Sequence, residues 1–166
     1  MIRRATPADR QAIRDLHLAS WRDSYGAELP ADYMADGLAR DMDAKWAARS
    51  FDRPELTLVA YTDTELTGFA CAILDRDPPL IDNLHIRPEL RGGGTGGKLL
   101  LAMKVALRQA GFDRAYLTVL ESNPRARAFY LSHGGIDEGP VEDVMVGRRV
   151  RARRIGFDLQ TRDGMG

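Results

Sequence analysis

Between Arg91 and Lys98 the chain carries five glycines around one threonine, Arg91-Gly92-Gly93-Gly94-Thr95-Gly96-Gly97-Lys98. A strand-like apolar run, 80–86, leads into it, and a helical apolar stretch, 99–110, leaves it. Glycine weakens the interior of a helix or strand and is favoured where the backbone must turn or approach another group closely. The segment therefore dictates a bend that feeds a helix N-terminus. The first-turn amides of such a helix have no partner within it, and the helix dipole adds partial positive charge. A bend of this kind suits an anion, phosphate above all.

The elements on either side of the bend set the fold class. Residues 2–5 read as a first strand, followed by helix-start chemistry at Thr6-Pro7-Ala8-Asp9: a Thr N-cap, a Pro at the first helical position and an acid in the first turn. Ala12, Ile13, Leu16, Ala19 and Ser20 continue at helical spacing, with Trp21 and Tyr25 four apart on one edge, and the helix fades by Gly26. Pro30 opens a second helix with Met34, Leu38, Met42 and Trp46 as its stripe. Runs 57–62 and 66–75 form an antiparallel hairpin, and Asp77-Pro78-Pro79 breaks the chain before the strand 80–86. After the glycines come a helix over 97–110, stopped by Gly111, and a strand over 115–120. A short helix runs from Asn123-Pro124 to about Ser132, and a closing hairpin spans 141–146 and 150–159. The order β-α-α-β-β-β-α-β-α-β-β places antiparallel hairpins around one β-α-β crossover. The expected class is α+β, a mixed, mostly antiparallel sheet flanked by helices. One domain over 1–160 follows, with 161–166 a frayed tail.

Lys plus Arg and Asp plus Glu both number 24, so no global charge favours nucleic acid or an anionic membrane as partner. Anion recognition must come from local placement. The single cysteine, Cys71, lies in an apolar run and reads as a small core residue; it forms no internal disulfide and no cysteine zinc site. Three scattered histidines, His17, His85 and His133, lack metal-ligand spacing, so no metal is expected. The N-terminus has no apolar signal core and no run is long enough to span a bilayer, which suits a cytoplasmic location.

Three motifs compete for the glycine loop. Gly92-x-Gly94-x-x-Gly97 fits the dinucleotide fingerprint, with Glu121 near a ribose-binding position. Against it, Arg87-Pro88-Glu89-Leu90-Arg91 separates strand from loop, and too little chain follows for repeated parallel units. Gly92-x-x-x-x-Gly97-Lys98 fits most of a P-loop, but Leu99 stands where a hydroxyl must hold magnesium. The third is Arg91-x-x-Gly94-x-Gly96, which resembles the hallmark (Gln/Arg)-x-x-Gly-x-(Gly/Ala) of the GNAT N-acetyltransferase superfamily. Entry through Ile86-Arg87-Pro88, the order of elements, and Asn123, Ala126, Phe129-Tyr130 and Gly134 downstream are similar to that family as well. So are the opening at 2–9 and the Trp21/Tyr25 pair. Two places depart: Gly135 stands where the family often has Phe, and Asp82, Asn83 and His85 occupy a strand that commonly supplies a glutamate base.

The resemblance implies acetyl-CoA as cofactor and transfer of its acetyl group to a primary amine. It implies that Arg91, Gly92, Gly93, Gly94, Thr95, Gly96, Gly97 and Lys98 hold the pyrophosphate, that the main chain of Leu84, His85 and Ile86 pairs with the pantetheine arm, and that Asn123 hydrogen-bonds that arm. Asn123 also reads as an N-cap for the helix at Pro124, and one side-chain oxygen serves one of these duties well. Tyr130 aligns with the general acid that protonates a leaving thiolate. Asp82, His85 and Glu121 are candidate bases; Asp82 and His85 lie on opposite faces of a regular strand unless a bulge intervenes. Trp21, Tyr25 and Tyr33 are candidates to line the acceptor pocket. A small-molecule amine is the expected acceptor and a homodimer the implied assembly. A protein N-terminus or lysine as acceptor, and an acyl-CoA-binding sensor without turnover, stay open. Arg148, Arg149, Arg151, Arg153 and Arg154 face Asp137, Glu138, Glu142 and Asp143 in the closing hairpin, where cross-strand charge pairing is expected.

Overall fold

In the computed structural model, which describes residues 1–160, seven strands form one sheet in the order β1-β2-β3-β4-β5-β7-β6. They are β1 (Ile2–Arg4), β2 (Glu55–Thr62), β3 (Glu65–Ile73), β4 (Leu80–Ile86), β5 (Arg114–Leu120), β6 (Ile136–Met145) and β7 (Arg148–Asp158). Every neighbouring pair is antiparallel except β4 and β5. The mixed α+β class is as expected. The frayed tail assigned to 161–166 lies outside the described residues.

Four helices cover the two faces: α1 (Arg10–Tyr25), α2 (Leu38–Ala48), α3 (Thr95–Gln109) and α4 (Pro124–Ser132). Helices α1 and α2 pack Ile13, Leu16 and Trp46 on Val59, Leu66 and Phe69. Opposite them, Leu99, Leu100, Met103 and Leu107 of α3 meet Leu58, Ala70, Ile81, Leu117 and Ile155, with Phe129 and Tyr130 of α4 alongside. The middle strands are buried on both faces, which is why β2 and β3 read as continuous apolar runs rather than alternating ones.

The start of α1 is tied to the sheet by Asp9, which is 4% exposed. Its carboxylate accepts from Arg3 at 2.8 and 3.0 Å, from the Thr6 N–H at 2.8 Å and from the Tyr61 hydroxyl at 2.7 Å. The Arg3 bonds above all hold its pKa well below the usual carboxylate range.

Several boundaries differ by one or two residues from the expected ones, and three places differ in a way that bears on the site or the sheet. Helix α3 begins at Thr95, two residues before the expected start at 97, with Gly94 as its N-cap at φ 89°. The N-terminal turn of the second helix contains a π-helical segment, Tyr33–Gly37, in which the Tyr33 ring lies where a Cβ at Gly37 would stand, 2.6 Å from Cδ2. Strand β6 begins at Ile136, five residues before the expected 141, and crosses a register shift between Asp137 and Pro140 with Gly139 at φ 113°. No helix among the described residues is long and apolar enough to cross a membrane.

Candidate active site

The one parallel junction of the sheet is also its weakest. Strands β4 and β5 share a single paired position, Leu80↔Tyr116. Beyond it β4 keeps its partner β3 through Ile86, and β5 keeps β7 through Leu120. The facing edges therefore diverge toward their C-terminal ends, leaving the backbone N–H and C=O groups of Leu84 and Ile86, which alternate away from β3, without a strand partner on that side. Backbone polar groups in this position are a template for an added extended segment.

The glycine loop sits at the mouth of this cleft. Gly92 and Gly94 adopt φ of 87° and 89°, and a Cβ at either would meet nothing within 4 Å, so conformation rather than space demands glycine there. The first helical hydrogen bond runs from the Lys98 N–H to Gly94 O at 3.2 Å. The N–H groups of Thr95, Gly96 and Gly97 are thus left for an outside acceptor. Gly96 and Gly97 serve a second purpose: a Cβ on Gly96 would lie 3.3 Å from the Phe129 ring, and one on Gly97 2.7 Å from His133 Nε2. They let α3 close onto α4. The Lys98 side chain is exposed, and the Arg91 guanidinium turns to α1, bonding Asp23 and, at 3.1 Å, Ser20 Oγ.

A bulge in β4 changes the expected arrangement of its polar residues. Cys71 of β3 opposes Asn83 and Ala72 opposes Ile81, so Asp82 is the extra residue. A regular strand would put Asp82 and His85 on opposite faces; the bulge brings both to the α1/α2 side. There Asp82 Oδ2 accepts from Arg49 Nη2 and from Asn83 Nδ2, and His85 Nδ1 lies 2.8 Å from Ser20 Oγ. Burial first, then the charges of Lys45 and Arg91, push the His85 pKa down to about 3. The imidazole is neutral at physiological pH. As candidate bases the two differ in kind: a carboxylate paired with Arg49, and a buried imidazole bonded to Ser20. Glu121 is drawn away to Arg153 at 3.6 Å.

Across the cleft, Tyr130 of α4 packs edge-on against Phe129 and Phe157, 5.2 and 6.5 Å between centroids. Burial, with Tyr25 nearby, raises its pKa well above the ordinary phenol value, so the hydroxyl keeps its proton. Asn123 caps α4, its Oδ1 accepting from the Ala126 N–H at 3.2 Å. Burial raises the pKa of Tyr25, and the Asn123 side chain opposes that rise. The capping duty therefore occupies the oxygen and leaves the amide N–H groups for another acceptor. Trp21 and Tyr25 stack edge-to-face at 4.8 Å. Tyr33 packs on the cluster of Leu18, Leu38 and Met42 together with Trp21, while its hydroxyl donates to Asp41 at 2.7 Å. The structure thus gathers Tyr130, Asn123, Tyr25 and Trp21; Tyr33 belongs to the outer flank of the same face.

Several residues around the site are not legible as site residues in the sequence: His17, Ser20, Lys45 and Arg49. His17 and Ser20 are 0% and 2% exposed. Their one signal is a polar residue at the apolar positions of an amphipathic helix. Arg49 also donates to the sulfur of the fully buried Cys71 at 2.9 Å, consistent with a core role for that thiol. At Gly135 a Cβ would stand 2.6 Å from Ile155 Cγ2 and 2.7 Å from Tyr130 O, so Ile155 fills the space that an aromatic would need. The hairpin charges pair as expected at Arg153–Asp137, 2.7 Å, and Arg154–Glu138, 3.0 Å, and Asp137 also holds Arg127 at 2.6 Å.

A model of the acetyltransferase (GNAT) family matches residues 11–135. An uncharacterized N-acetyltransferase of Bacillus subtilis (strain 168), YuaI, is 27% identical over 162 residues, covering 94% of this chain and 90% of that protein. Aminoglycoside N(6')-acetyltransferase type 1 of Stenotrophomonas maltophilia is 32% identical over 119 residues, 66% of this chain and 69% of that protein. The solved structure of the PaiA N-acetyltransferase from Thermoplasma acidophilum in complex with coenzyme A superposes with a TM-score of 0.79 at 19% identity, covering 95% of this chain and 98% of that one.

Proposed function

This chain belongs to the acetyltransferase (GNAT) family, and from that premise we propose that it moves an acetyl group from acetyl-CoA to the primary amine of a small molecule, by direct attack with both bound. The observation that carries the reading is the divergence of β4 from β5 after Leu80↔Tyr116, with the open amides of 95–97 at the mouth of the gap. The residues present fit the cofactor: an extended arm meets a free strand edge, and a pyrophosphate meets a helix N-terminus flanked by Arg91 and Lys98. When bound, acetyl-CoA supplies the activated thioester.

The backbone of Leu84, His85 and Ile86 aligns the arm, and a backbone N–H there stabilises charge on the thioester oxygen. Asn123 contributes its amide N–H groups from the opposite wall. Asp82 receives the proton that the acceptor nitrogen must lose, directly or through water; its bonds to Arg49 and Asn83 both use Oδ2, and among the described residues Oδ1 is left for that role. Tyr130 gives its proton to the departing sulfur. Trp21 and Tyr25 flank the acceptor, with Tyr33 further out. The similarity to a protein named for aminoglycoside acetylation supports a small-molecule amine over a protein acceptor.

The test is a thermal-shift and thiol-release experiment. Acetyl-CoA is expected to raise the melting temperature by several degrees while NAD and ATP leave it unchanged, and at least one member of an amine panel should release free thiol. Stabilisation by NAD alone would sink the assignment.

A further inference from the structure

The hydrogen bonds beneath β4 fix more than packing. Ser20 sits on α1 between two partners, Arg91 Nη2 at 3.1 Å and His85 Nδ1 at 2.8 Å. A guanidinium only donates, so Ser20 Oγ accepts from Arg91. One lone pair and one O–H remain on the serine. If His85 Nδ1 carried a proton and donated it, the Ser20 hydrogen would be left without an acceptor at a position 2% exposed. Buried donors are rarely left in that state. The serine therefore donates to Nδ1, and the proton of the neutral imidazole is on Nε2.

A second donor-only group gives His17 the same tautomer. Trp46 Nε1–H donates to His17 Nδ1 at 3.0 Å, so the His17 proton is on Nε2, the one buried side-chain nitrogen without a hydrogen-bond partner among the described residues. The His85 ring lies against His17 at 4.6 Å and against Phe69 at 5.5 Å between centroids. Packed against both rings, which also touch each other at 5.4 Å, and bonded to Ser20, it is held in place, and the tautomer decides what it offers a ligand.

We infer that Ser20 is a positioning residue for the reaction: it holds His85 as the Nε2–H tautomer, so that the strand lining the cleft presents a hydrogen-bond donor rather than a base, and it steadies Arg91 from the same oxygen. The donor suits an oxygen of the bound acceptor or thioester, and the proton of the amine is left to Asp82. This part of the inference rests on the acetyl-transfer reading; the tautomer itself does not.

Long-range 1H–15N NMR of the full chain, without substrate, reads the tautomer directly. The parent protein is expected to show His85 protonated on Nε2 alone, and Ser20→Ala to show a mixture of both tautomers. With an accepted amine, Ser20→Ala is expected to lower kcat by about tenfold, and Ser20→Thr, which restores the hydroxyl, to recover most of it. A His85 proton on Nδ1 in the parent protein, an unmixed tautomer in Ser20→Ala, or an unchanged kcat in that variant each overturns the inference. Because the parent tautomer is measured without turnover, failure of the acetyl-transfer reading and failure of the serine's role give different results.

Discussion

The two faces of the sheet are buried to similar depth and built from different chemistry. Under α3 the contacts are mostly hydrocarbon: Leu99, Leu100, Met103 and Leu107, each fully buried, rest on Leu117, Ile155 and Phe157, with Lys104 at one edge donating to His133 O at 3.0 Å. Under α1 and α2 the same depth holds His17, Ser20, Asn83 and Thr57, with Arg49, Lys45, Asp82 and His85 at its margin. Apolar burial contributes roughly 25 cal/mol per Å² and asks for no partner, whereas every buried polar atom needs one or destabilises the fold. A face that carries so many polar groups bears that cost for something other than stability. One side of the sheet holds the molecule together; the other arranges donors, acceptors and charges beside a cleft.

The contrast can be broken most forcefully from the dry side. Leu100→Ala should lower unfolding free energy by about 3 kcal/mol and leave kcat of the folded protein unchanged. Denaturant melts alongside turnover separate the two, and a large kcat loss would mean the α3 face is part of the chemistry. On the cleft wall the expected effect reverses. Tyr130→Phe should reduce turnover at saturating acetyl-CoA by about 10²-fold, roughly 2.7 kcal/mol in the barrier, with cofactor affinity and melting temperature nearly constant. Equal turnover in the two proteins would remove Tyr130 as the proton donor.

The smallest effect concerns pH. His17 and His85 both have pKa values lowered by burial, His85 to about 3. Between that range and the unfolded value near ~6.5, the unfolded chain binds more protons than the folded one. Stability is therefore complete above about pH 6.5 and falls below it, by at most about 1.4 kcal/mol per pH unit for each histidine. Urea melts compared at about pH 7.5 and about pH 5.5 should show the loss, well above the range where Asp9 is protonated. Equal midpoints would mean that the polar face is not sealed as described.

What the sequence made legible follows the same division. Strand 80–86 and the short helix from Pro124 are found at or within a residue of their expected bounds, because apolar runs and Asn-Pro punctuation are local signals. The first turn of α3 was hidden because glycine is a poor helix former; glycine stands there because a side chain at 96 or 97 would crowd Phe129 or His133. The start of β6 was hidden because Gly139-Pro140 reads as a loop; an edge strand tolerates both at a register shift. The glycine loop and Tyr130 stood out by motif. Ser20 and Arg49 did not, since a serine in a helix stripe or one more arginine has meaning only once tertiary contacts give it partners. The shared face of Asp82 and His85 depends on one extra residue in β4, which no spacing rule reveals.

The lone Leu80↔Tyr116 pair makes the sheet one surface by topology and two blades by mechanics, four strands on one side and three on the other. A ligand that pairs with the free edge of β4 acts as a wedge-shaped eighth strand. Binding of that kind adds to folding free energy as RT ln(1 + [L]/Kd), so the resistance of the two blades to parting would track the concentration of ligand. Hydrogen exchange at the amides of Leu84 and Ile86 would then report occupancy, and the protein would be most durable where its donor is abundant.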